Sequence, residues 1–153
     1  MNNTLPKRMK VAAVLELVLA VGMISFWIAF FTSDLVQIDD PQLREAYLAF
    51  ESAFPVPDTC LALVLIIGGV GLLRRKSYGR LFSLMGGASL VFLGLLDISF
   101  NTQHGIYSLG LDEAIMNLSI NLLCLGTGVF LILTIWKSRV YKKGRKGARF
   151  YVV

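Results

Sequence analysis

Four stretches of the chain are almost free of charge: Val11–Thr32, Pro57–Leu73, Leu81–Phe100 and Ala114–Trp136. A helix rises about 1.5 Å per residue and the hydrocarbon core of a bilayer is about 30 Å thick, so about 20 residues are needed to cross it. The first, third and fourth stretches reach that length, and the second crosses with little tilt. Strands of a membrane barrel would be half as long and would alternate polar with apolar side chains, which these segments do not. The pattern predicts an all-α membrane protein. It is read as a four-transmembrane-helix bundle with helices at 11–32, 57–73, 80–100 and 113–136.

Between the first two spans the period changes. Asp40-Pro41 is a helix start, with a capping side chain followed by proline at the first helical position. Leu43, Ala46, Tyr47, Phe50 and Phe54 then recur at three- and four-residue spacing, with Arg44, Glu45, Leu48 and Ser52 turned away. This predicts a short amphipathic helix over 41–54, lying in the membrane interface within the first outer loop. Pro55 and Pro57 separate it from the second span. The fourth span opens on Asp112 and Glu113, acids suited to a helix N-terminus.

Charge orients the arrangement. Of the 15 Lys and Arg residues, only Arg44 lies on the side of the long first loop. The others precede the first span (Lys7, Arg8, Lys10), join the second to the third (Arg74, Arg75, Lys76, Arg80) or follow the fourth (Lys137, Arg139, Lys142, Lys143, Arg145, Lys146, Arg149). Basic residues flanking spans stay in the cytoplasm, so both ends are expected there. The organisation read from the sequence is thus a transmembrane domain over 1–136 and a basic cytoplasmic tail over 137–153. The expected partners are the bilayer itself and anionic lipid headgroups at the tail, with no nucleic acid. The composition fits, at 56% hydrophobic and 16% charged. Glycines in the spans, Gly68, Gly69, Gly71, Gly87, Gly94, Gly126 and Gly128, predict tight helix contacts within one chain or between copies, leaving open a homo-oligomer or a membrane partner.

Ionisable residues inside a span are functional suspects. Asp58 sits in the first turn of its helix, where free amides stabilise a carboxylate. Glu16 lies about 8 Å in from the cytoplasmic end and could reach the interface or pair with Arg80. Asp97 stands near a helix C-terminus, where the dipole disfavours its charge. Asn101 is one turn beyond it. Asn117 and Asn121 share a face of the fourth span at matching depth, and His104 hangs above. These residues define a candidate ligand-binding layer: Asp97, Asn101, Asn117, Asn121, Asp58 and His104. Amides and carboxylates at one depth can also simply join helices.

Other chemistries are poorly supported. Cys60 and Cys124 form no CxxC pair and lie at different depths, so no disulfide is expected. A lone histidine and scattered acids match no metal-ligand spacing, and no cofactor motif is present. The reading is a small integral membrane protein binding a small ligand, ion or lipid in an outer-leaflet polar cavity, or serving as a subunit of a membrane complex. A membrane enzyme using Asp97 and His104 as acid and base is an alternative. So is a proton-coupled small-molecule transporter working through Asp97 or Glu16.

Overall fold

The computed structural model describes residues 5–33, 36 and 38–143, with side chains as far as Ser138. Within these residues the chain is helical: α1 (Lys7–Thr32), α2 (Pro41–Glu51), α3 (Pro55–Leu73), α4 (Ser77–Gln103) and α5 (Leu111–Lys143). A single 3-10 turn, Ile106–Ser108, joins the last two. Four helices are long and apolar enough to cross a membrane: α1, α3, α4 and α5 as far as Ser138. Their outward faces are apolar as well, with Val14, Val18, Phe92 and Leu122 all more than half exposed. Contiguous uncovered surface of that kind calls for an apolar surrounding.

The helix ends follow local chemistry. Asp40 Oδ1 accepts the amide N–H groups of Gln42 at 2.8 Å and Leu43 at 3.1 Å, and Pro41 occupies the first turn of α2. The α3–α4 connection is a Schellman turn. Arg75 takes the left-handed conformation (φ 57°), while Lys76 N–H reaches Gly71 O at 2.9 Å and Arg75 N–H reaches Leu72 O at 3.0 Å.

Helix limits differ modestly from the sequence expectation. Proline is welcome at the first helical position, so α3 starts at Pro55 instead of 57. The fourth span runs on as helix to Lys143 because Lys, Arg and Ser end an apolar run without ending a helix. The rest of the basic tail lies outside the described residues.

Packing runs from neighbour to neighbour. α1 lies on α3, α3 on α4 and α4 on α5, whereas α1 and α5 touch only sparingly. Glycine makes the close approaches possible. A Cβ on Gly69 would stand 2.9 Å from Ala13 O, and one on Gly128 would stand 2.7 Å from Gly87 O. At the α3–α4 turn Gly71 and Gly79 meet backbone to backbone. Leu65, Leu72, Leu90, Leu131 and Ile135 fill the core between these contacts. The tight approaches cluster toward the end that carries Lys7, Arg74 and Lys137. The opposite end, beneath α2, is where the helices leave space.

Candidate functional site

The space is a cavity of about 280 Å³ in the gap between α1 and α5. α1 contributes Leu19, Gly22, Met23, Phe26 and Trp27, and α5 contributes Met116, Asn117, Ile120, Asn121, Leu123 and Cys124. Leu93, Gly94 and Asp97 of α4 form the back wall. Tyr47 and Glu51 of α2, Phe54 between α2 and α3, and Asp58 of α3 close the end. The wall is thus mainly apolar and aromatic, and three carboxylates from three different helices interrupt it.

Each carboxylate arrives by a different local route. Asp58 is in the first turn of α3, buried, and accepts a hydrogen bond from the Trp27 indole N–H at 2.9 Å, which ties α3 to α1. Asp97 lies on the inner face of α4, three residues from Gly94, with the Asn121 side chain as its polar neighbour. Glu51 is the last residue of α2 and is buried, with the Tyr47 hydroxyl one turn earlier as its hydrogen-bond partner. Burial pushes the Glu51 carboxyl up to about 7, the negative charges of Asp97 and Asp58 adding to the effect and the Tyr47 bond opposing it. The Tyr47 hydroxyl is raised too, first by burial and then by the charge of Glu51. Among the described residues none that lines this cavity is basic.

The amides form a second tier. Asn101 donates to Asn117 Oδ1 at 3.3 Å, and Asn117 Nδ2 donates to the Glu113 carbonyl at 2.9 Å. Asn121 Nδ2 donates to the Tyr107 hydroxyl at 2.9 Å. Asn121 is 1% exposed, yet its Oδ1 has no hydrogen-bond partner. Buried acceptors are normally paired, and this one belongs to a residue that lines the cavity.

Of the six residues singled out from the sequence, Asp58, Asp97, Asn117 and Asn121 line the cavity. Asn101 stands behind the wall, fully buried, and is linked to it through Asn117. His104 does not line it. That residue ends α4 in an exposed position, with Nδ1 donating to Phe100 O at 3.0 Å and its ring stacked on Phe100. Trp27, Tyr47 and Glu51 were not anticipated. The available signal was the continuation of two helical stripes: Glu16, Ala20, Met23 and Trp27 along α1, and Tyr47 and Glu51 along α2, running on to Phe54.

Glu16 lies elsewhere. It is fully buried, with the Ser83 side chain as its polar neighbour. The missing side chain of Gly68 leaves room for it, since a Cβ there would stand 2.7 Å from Glu16 Oε1 and 3.1 Å from Ser83 Oγ. Cys60 and Cys124 are both free thiols. Among the described residues no group of His, Cys, Asp and Glu is placed to hold a metal ion.

No curated protein and no solved structure matches the chain. One family model does, over residues 7–146. The chain belongs to that family, DUF8058, a domain of unknown function.

Proposed function

We propose that this is a non-enzymatic integral membrane protein that binds a small ligand in the cavity between α1 and α5. In this reading the four apolar helices cross the bilayer with both ends of the chain in the cytoplasm, a placement supported by the distribution of Lys and Arg. The cavity then lies in the outer half of the membrane. α2 rests in the outer interface as its cover, and the gap between α1 and α5 opens sideways to lipid.

The observation that carries the reading is the convergence of polar groups from four helices on a mainly apolar space of about 280 Å³. Small-molecule sites are built this way, from apolar walls with a few placed polar groups, and this volume lies near the lower end of their range. Joining helices does not require a cavity, and of the two buried amides with an unpaired Oδ1, Asn101 stands behind the wall while Asn121 lines the space. An acid–base enzyme is less favoured because His104, the intended partner of Asp97, is exposed and away from the cavity wall.

Trp27 reports on occupancy. With Trp136→Phe it is the sole tryptophan of the 2 in the chain. In lipid nanodiscs, titration with small aromatic amphiphiles should change its emission saturably and raise the melting temperature. Filling the space with Leu19→Phe and Ile120→Phe should abolish both responses. Equal responses in the filled variant would place binding elsewhere and end this reading.

A further inference from the structure

We propose that the occupant of this cavity is an amphipathic protonated amine, with its ammonium group at the carboxylates and its apolar body between α1 and α5. The inference rests on the binding reading above and specifies the ligand for it.

Charge comes first. Glu51, Asp58 and Asp97 enter one space from three helices, and among the described residues no Lys, Arg or His lines it. Buried anions need a counter-charge or protons. The Trp27 indole, the Tyr47 hydroxyl and the Asn121 amide supply hydrogen-bond donors, but none carries a positive charge. A ligand bearing one would complete the site.

The second observation concerns an acceptor rather than a charge. Asn121 Oδ1 is a buried acceptor without a donor on a side chain that lines the cavity. It calls for an N–H or O–H group on the ligand. A quaternary ammonium offers neither, so a protonated amine fits where a fully alkylated one does not.

The remaining wall describes the rest of the molecule. Phe26, Trp27, Tyr47 and Phe54 present aromatic rings, and Met23 and Met116 are soft and adaptable. An inorganic cation would leave most of that apolar wall uncovered, and among the described residues no group of His, Cys, Asp and Glu is placed to hold a metal ion. A second cavity of about 230 Å³ shares Phe26, Tyr47, Met116 and Asn117 with the first and is itself lined by Asp112 and Glu113. Among the described residues its wall too has no basic side chain, so the approach from the α2 side is also suited to a cation.

The test compares 2-phenylethylamine, its N,N,N-trimethyl analogue, 2-phenylethanol and phenylacetate in nanodiscs at pH 7.5. It uses Trp27 emission in the Trp136→Phe protein and the Leu19→Phe, Ile120→Phe protein as the filled control. The amine should bind saturably, and the alcohol and the trimethyl analogue each at least about tenfold more weakly, a difference of about 1.4 kcal/mol. Phenylacetate should not bind. Asp97→Asn and Glu51→Gln should each weaken the amine by about tenfold and so narrow its advantage over the alcohol. Both substitutions are tested because either one alone could disturb folding. Alcohol or acid binding as tightly as the amine, and lost in the filled control, would overturn the amine assignment and leave the pocket standing. Saturable binding of no probe, or binding that the filled control retains, would overturn both.

Discussion

The Trp27–Asp58 hydrogen bond joins two helices at the cavity, in a place where neither partner can turn to water. Trp27 is 8% exposed and Asp58 9%. Removing the donor with Trp27→Phe keeps an aromatic ring but strands the carboxylate, so a loss of about 1–3 kcal/mol in unfolding free energy is expected. Adding Asp58→Asn should then cost much less than it does alone, the signature of a shared interaction in a double-mutant cycle. Independent losses would mean that the bond contributes nothing. Glu51 makes a prediction in pH. Its carboxyl is raised to about 7 in the folded protein, so between about 4.5 and 7 the folded state holds more protons than the unfolded one. Stability should therefore fall as pH rises through that window, and Glu51→Gln should remove an increment on the order of 1–3 kcal/mol from the slope. The groups facing Glu51 are Tyr47 on its own helix, Asp58 on α3 and Asp97 on α4, so the difference between wild type and variant is the quantity to measure. An unchanged slope would mean that Glu51 is not buried among those charges. The sequence exposed Asp97, Asn117 and Asn121 because polar residues stand out in apolar runs. It hid Glu51, which sits in a loop segment where charge is ordinary, and only the fold turns it inward beside Tyr47.

Hydropathy also made the long helices legible, because length and apolar content are local properties of the chain. Their neighbours were not legible in that way: nothing in an apolar run says that α1 packs on α3 or that α1 and α5 stand apart. The glycines held part of that information. Gly71 and Gly79 bring α3 and α4 into backbone contact just before and after a turn fixed by Arg75 in the left-handed region. A Cβ on Gly79 would overlap the Gly71 backbone, which has no flexible end to move aside. Gly79→Ala should therefore destabilise the helix pair by about 1–3 kcal/mol, measured as a lower melting temperature in detergent. Gly126→Ala is the control. Its added carbon would meet nothing within 4 Å, and in a helix alanine should be neutral or stabilising by up to about 1 kcal/mol. Equal effects at both positions would contradict the close α3–α4 approach.

For the molecule as a whole, the account needs the acidic end to face outward and the basic end inward. Cysteines placed singly at Ser52 and Ser77, with Cys60 and Cys124 replaced by serine, sample the two ends at exposed positions. The Ser52 site should react with a membrane-impermeant maleimide in intact cells, and the Ser77 site only after permeabilisation. The reverse pattern would put the cavity in the inner half of the bilayer. The most direct measurement concerns the cavity itself, whose wall includes Trp27, about 8 Å along α1 from Thr32. In the Trp136→Phe protein, lipids brominated near the carbonyl end of the acyl chain should quench Trp27 more strongly than lipids brominated at the chain terminus. Bound 2-phenylethylamine should relieve that quenching. Quenching by aqueous iodide with no effect of brominated lipid, or quenching that the amine leaves unchanged, would contradict a ligand cavity open to the membrane.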